Sequence, residues 1–182
     1  MTKLNEKNED FLTGFNRIGF GGGCHWCTEA VFQALRGVFK VEQGFIRSVS
    51  PDHAYSEAVV VTFDPEVISL SELIEIHLHT HASTTEHHLR NKYRSAVYAF
   101  SPEQEEEAQK ILSELQTDFS EPIVTRTIPF KGFKPSENRY QNYYRKHSDQ
   151  PFCERYINPK LERLITDYPY LMTDIKKHQQ IK

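Results

Sequence analysis

The stretch GGGCHWC, residues 21–27, gathers the side chains best suited to chemistry in this chain. Three glycines run into Cys24, and Cys27 follows three positions later, with His25 and Trp26 between them. Cys24 falls where a strand-like run and a glycine turn feed a helical pattern. Free backbone N–H groups and the positive end of the helix dipole converge at such a point and favour an anion. A thiolate is such an anion, and cysteines at helix N-termini fall several pKa units below the free value of about 8.5. The glycines let the backbone turn tightly and leave room above the sulfur. His25 could add positive charge, although neighbouring side chains need not face each other. Cys27, one helical turn on, can reach a sulfenic acid or mixed disulfide formed on Cys24. The plainer reading of Cys27 is a small apolar residue on the inner face of the helix.

A metal clip is the alternative for these cysteines. The chain has nine histidines, including IHLHTH (76–81) and His87-His88. Zinc takes four ligands in a tetrahedron. On a helix His77, His79 and His81 diverge, and no second CxxC pair is present. These histidines therefore read as polar loop and helix-end residues, with a Cys/His zinc-binding module kept as the competing class of function.

Several elements must position Cys24. Residues 17–20 read as a strand into the glycines, and Trp26, Ala30, Val31, Ala34 and Leu35 recur at helical spacing up to Gly37. A strand over 38–46 follows, then AVVVTF (58–63), the clearest strand, closed by Asp64-Pro65. SLSELIEIHLH predicts a helix capped by Ser69 or Ser71. A strand over 94–100 leads to Ser101-Pro102, which opens an amphipathic helix with glutamates at its positive end. Residues 122–129 read as a strand, and 135–147 and 159–171 as helices. Helices between strands predict an α+β fold: a two-layer α/β sandwich with a mixed sheet, packed helices and a ferredoxin-like plait core. One domain is expected over 16–172, between a polar arm (1–15) and a basic tail (173–182).

The 182 residues suit a single domain with a real core. The composition is 38% hydrophobic, 12% aromatic and 26% charged, with net charge -3. That balance is globular and lacks the basic excess of nucleic-acid binders. The start, MTKLNEKNEDF, has no apolar signal region, and no run approaches a membrane span. The expectation is a cytoplasmic chain, with no nucleic acid or membrane partner. Three cysteines are too few and odd for a disulfide scaffold, so in that compartment they are catalytic, redox-sensing or metal-bound.

GGGCHWCTEAVFQALRGV resembles the A-type peptide methionine sulfoxide reductases. EAVVVTFDPEVIS, KYRSAVY, FKPSENRYQNYYRK and FCERYINPKLERL continue the resemblance in order, over about residues 17–165. The resemblance implies that Cys24 attacks the sulfur of methionine S-sulfoxide, free or in peptides. Glu57 maps to the proton donor, which a partly dry pocket would keep protonated. Tyr93 maps to a tyrosine that helps hold the sulfoxide oxygen. Without the family these two would read as a solvent-facing strand end and an edge aromatic. Trp26 maps to the wall against the substrate methyl. Cys24 becomes a sulfenic acid that condenses with a thiol. Cys153, aligned with a recycling cysteine on a flexible segment, is the expected first partner, and Cys27 the other. Thioredoxin or a similar dithiol would reduce the disulfide in a monomeric enzyme without metal or flavin.

The chain departs from the family at several places. His25 stands where phenylalanine is usual. The loop between Gly44-Phe45 and the acidic strand is short, which leaves Tyr55 as the candidate second substrate tyrosine. Ala82-Ser83-Thr84 replaces Asp-Pro-Thr, and His88 falls at an aspartate position. A divergent thiol reductase acting on another sulfoxide is therefore the second enzymatic reading.

Overall fold

AVVVTF becomes the middle of a sheet because both of its faces are apolar enough to bury. In a computed structural model, which describes residues 13–173, every residue of β3 (Ser56–Phe63) is buried. Val59, Val61 and Phe63 point into one cluster, and Ala58 and Val60 into another. That split is the two-residue period of a strand. The expected arm and tail lie almost wholly outside the described residues.

The chain runs β1 (Asn16–Gly21), α1 (His25–Gln33), β2 (Val38–Arg47), β3, α2 (Leu70–Thr80), β4 (Ala96–Ala99) and α3 (Pro102–Leu115). It continues through β5 (Arg126–Pro129), β6 (Gly132–Pro135), α4 (Tyr143–His147) and α5 (Asn158–Asp167). The sheet order is β5-β4-β1-β3-β2-β6. All neighbours are antiparallel except β4 and β5, which α3 joins by a parallel crossover, so the sheet is mixed as expected. Helices α1, α2, α3 and α5 contribute to the larger cluster with Ile18, Phe20 and the outer residues of β3. The smaller cluster, on the opposite face, includes Ile46, Val60, Tyr98 and Ile128.

Capping settles the helix starts. Ser69, not Ser71, caps α2: its side chain accepts from the Glu72 N–H at 3.1 Å, and the Glu72 carboxylate accepts from the Ser69 N–H at 2.9 Å. Ser101 caps α3 by accepting from the Gln104 N–H at 3.1 Å, with Pro102 opening the first turn.

The C-terminal third departs most from expectation. Strand β6 has no periodic signature, being four residues, GFKP, held by pairing with β2. Of 135–147 only α4 is helical. Asn142 before it is left-handed, with φ 56°, so the chain turns there instead of continuing a helix. The expected helix over 159–171 is α5, entered through a π-helical turn (Cys153–Ile157) and followed by a 3-10 turn (Pro169–Leu171). Strand β5 is shorter than 122–129 because the Ile123 and Val124 N–H groups donate instead to Gln116 Oε1 and the Ser83 carbonyl.

The topology fixes the site. Gly21 ends β1, Ser56 and Glu57 begin neighbouring β3, and Gly44 lies near the end of β2 beyond it. Cys24 stands just outside that corner, at the start of α1.

Candidate active site

The glycine turn is clamped from below by His77 of α2, by His81 at its C-cap and by Arg90. The Gly21 carbonyl accepts from His77 Nε2 at 2.8 Å, and the Gly22 carbonyl from the Arg90 guanidinium at 3.1 Å. His81 donates from Nδ1 to the His77 carbonyl at 2.5 Å and accepts the Ser95 hydroxyl at Nε2, 2.8 Å away. Its ring packs so closely on Gly22 that a methyl group there would overlap it. Gly21 is constrained too, since a Cβ would meet the Arg94 carbonyl at 2.8 Å. Burial pushes His77 well below the ordinary histidine range and His81 down to about 4, so both are neutral braces. The sequence reads them as polar loop and helix-end residues; His81 is indeed the extended C-cap of α2, but its ring folds back to stack 4.1 Å from that of buried His77.

Cys24 is the N-cap of α1, and its carbonyl accepts the N–H groups of Cys27 and Thr28 at 3.1 and 3.2 Å. No side chain caps this helix, and no acidic residue occupies its first turn. The Cys24 thiol is pulled below its ordinary pKa chiefly by a hydrogen bond from the Cys27 thiol, then by the Trp26 N–H. Burial and the Glu57 charge oppose that pull. Cys27, buried at 7% exposure, is pushed far up by the same bond and by burial. The bond runs from the Cys27 thiol to Cys24, so it favours the anion on Cys24 over one on Cys27.

Cys153 is fully buried in the π-helical turn that packs against α1, and burial raises its pKa. Apolar neighbours hold this thiol protonated and away from solvent.

Glu57 is buried beside the nucleophile. Its Oε2 accepts the His25 N–H at 3.2 Å, and its Oε1 lies 3.7 Å from the Lys92 ammonium. The His25 side chain turns inward to the sheet and not outward: Nδ1 bonds the Gly44 carbonyl at 2.8 Å. A carbonyl only accepts, so Nδ1 carries hydrogen and Nε2 faces Glu57 Oε2 at 3.7 Å. His25 thus belongs to the Glu57 side of the site. Tyr93 lines a cavity of about 380 Å³ together with Cys24 and Cys27, and its ring centre is 5.0 Å from the Lys92 ammonium.

Trp26 stands in a stack that the sequence did not announce. Its ring lies 3.9 Å from Tyr143 at an interplanar angle of 7°, with Tyr140 beyond at 5.9 Å and Phe152 edge-on at 5.4 Å. Buried Glu29 anchors the chain at Tyr143, its carboxylate accepting the N–H groups of Asn142 and Tyr143, both at 2.9 Å, and Gln43 Nε2 donates to the Tyr140 carbonyl at 3.0 Å. Burial raises the Glu29 pKa against those bonds. Tyr55 is exposed, with its hydroxyl over Gly132, and like Trp26 and Glu57 it does not line the cavity that Cys24 and Tyr93 share. His88, at the family's aspartate position, is exposed.

The zinc reading gains nothing here. Among the described residues, the group close enough to share an ion is Glu75, His79 and Asp118, which contains no cysteine.

A model of the peptide methionine sulfoxide reductase family matches residues 16–170. The MsrA of Deinococcus radiodurans is 40% identical over 161 residues, covering 80% of this chain and 78% of that protein. Reduced Mxr1 from Saccharomyces cerevisiae superposes with TM-score 0.67 at 25% identity, over 79% of this chain and 92% of that one. Mxr1 solved in complex with Trx2 superposes at 0.57 and 26% identity, over 72% and 86%. On the family match over nearly all of the described residues, and on this degree of identity, the chain belongs to the peptide methionine sulfoxide reductase family.

Proposed function

We propose that Cys24 is the nucleophile with which this chain reduces methionine S-sulfoxide, free or in peptides, to methionine. The enzyme is a thiol-dependent peptide-methionine (S)-S-oxide reductase, and the place of Cys24 at the N-terminus of α1, with Cys27 one turn on and Glu57 bonded to the next backbone N–H, supports the assignment of its nucleophile. The Cys24 thiolate attacks the sulfoxide sulfur while Glu57 gives a proton to the oxygen. Oxygen leaves on Cys24 as a sulfenic acid, and methionine departs. Tyr93 holds the oxygen and Trp26 walls the methyl group, the indole face suiting an S-methyl. His25 keeps Glu57 in place through its backbone N–H.

Cys27 then condenses with the sulfenic acid and water leaves. Its position one turn from Cys24, already in hydrogen-bond contact, supports it over the packed Cys153. Two electrons come from two thiols, so no metal or flavin enters the cycle. An outside dithiol must then reduce the disulfide. The complex of Mxr1 with Trx2 supports thioredoxin or a similar dithiol in that role. No described helix is long and apolar enough to cross a membrane, in keeping with a cytoplasmic enzyme. We read residues 16–172 as one domain acting as a monomer. The antiparallel order β4-β1-β3-β2, with one helix in each βαβ half, supports a ferredoxin-like plait for its core.

Turnover of a methyl aryl S-sulfoxide with dithiothreitol tests the reading. Cys24→Ser should abolish it, and Glu57→Gln should lower kcat by roughly 10²-fold or more, the scale of general-acid catalysis. Activity surviving in Cys24→Ser would overturn it.

A further inference from the structure

The cavity beside Cys24 contains a charged group that oxygen transfer does not use. Lys160, in the first turn of α5, lines the same space of about 380 Å³ as Cys24 and Cys27. Its Nζ donates to the Thr80 carbonyl at the end of α2, which ties the ammonium to the cavity wall. The other lining is largely apolar: Val31, Leu89 and Phe152 sit around it. A cation in such a place is poorly hydrated and gains most from a nearby anion.

The two cysteines are the groups able to supply that anion. Burial lowers the Lys160 pKa, and the Cys27 charge, then the Cys24 charge, act to raise it. Reciprocally, Lys160 favours the Cys27 thiolate, against the Cys24 and Cys153 charges. Arg163 on α5, neutral His77 on α2 and neutral His81 at its C-cap stand near the ammonium, and His87, Tyr93 and Tyr156 line the same cavity.

We propose that Lys160 turns Cys27 into the resolving nucleophile, its ammonium holding the Cys27 thiolate as that sulfur attacks the Cys24 sulfenic acid. The assignment rests on the reading of Cys24 given above. Before oxygen transfer the Cys24 thiolate keeps the Cys27 proton in place. Conversion of Cys24 to a sulfenic acid removes that anion, so the Lys160 charge acts on Cys27 unopposed by it. The Cys27 proton passes to the sulfenic oxygen, the S–S bond forms, the S–O bond breaks and water leaves. Cys27 is oxidised and Cys24 reduced, both to the disulfide level, with no outside oxidant. Lys160 stays protonated and acts through Cys27.

The test generates the sulfenic acid without sulfoxide, by adding one equivalent of hydrogen peroxide to the reduced full chain. Dimedone trapping and peptide mass mapping then follow Cys24–Cys27 disulfide formation across neutral and mildly alkaline pH. Lys160→Met should slow it about tenfold near neutrality and move its pH profile up by about one unit. Lys160→Arg, which keeps the charge, should recover most of the rate. The single-turnover burst of sulfide from a sulfoxide should change far less. Disulfide formation at the wild-type rate with an unmoved profile in Lys160→Met would overturn the proposal, as would no recovery in Lys160→Arg. Failure of the Cys24 reading would appear separately, as an absent sulfide burst.

Discussion

The two sides of Cys24 are built in opposite ways. Beneath it, the glycine turn rests on two neutral histidines and a guanidinium, all bonded to backbone carbonyls. Above it, Trp26 leans on aromatics more than 100 residues away in the chain, whose backbone is held by the Glu29 carboxylate and the Gln43 amide. The first side fixes a sulfur, where small displacements matter; the second shapes a wall, where contact area matters. The contrast teaches that the turn carrying Cys24 is braced directly by side chains bonded to its own carbonyls, whereas the proposed substrate wall is held through a relay in which Glu29 and Gln43 position the chain that carries the aromatics.

Gly22→Ala should break the lower side most severely. The added methyl needs the space of the His81 ring, so the turn carrying Cys24 must move. Misplacing a nucleophile by about 1 Å can cost roughly 10²-fold, and kcat/KM should fall by that order. Steady-state kinetics with near-native circular dichroism would separate this from unfolding.

Glu29→Gln strikes the upper side. An amide cannot accept with both arms, so one of the N–H groups of Asn142 and Tyr143 is left unbonded. Urea denaturation should show a loss of about 2 kcal/mol, the cost of a lost bond to a buried charge. KM should rise more than kcat falls, because the wall binds and does not react.

Acid should loosen the lower side. His81 titrates near 4 when folded and near 6.5 when unfolded, so its contribution is complete above 6.5 and drains away as pH falls toward 4. That gap of about 2.5 units corresponds to about 3 kcal/mol at most. Stability curves at pH 7 and 4.5 should converge in His81→Asn relative to the wild type. The smallest effect is reserved for Tyr55→Phe, which should leave kcat/KM within about twofold, since the hydroxyl lies over Gly132 and outside the cavity.

Legibility in the sequence followed the same division. The strand–glycine–cysteine–helix order is local, and glycine, Ser69 and Pro102 carry their meaning in their own backbone chemistry, so β1, α1, α2, α3 and the place of Cys24 were readable. Glu29 was not, because a carboxylate at an inner helix position reveals its burial only when the chain 113 residues away donates to it. His77 and His81 were visible as a cluster but read as surface, since a charged-when-free side chain suggests solvent until its partners are known. Strand β6 escaped for a related reason: four residues take their conformation from β2. The burial of Cys153 was not legible either, because the resemblance implies its role but not the helical packing around it.

The most direct measurement is one turnover with a methyl aryl S-sulfoxide and no added reductant, followed by peptide mass mapping. The account predicts one equivalent of sulfide per chain, from the S-epimer alone, and a disulfide joining Cys24 to Cys27. A full equivalent of sulfide with Cys24 still carrying a free thiol, or with the disulfide formed by Cys153 instead of Cys27, would contradict it.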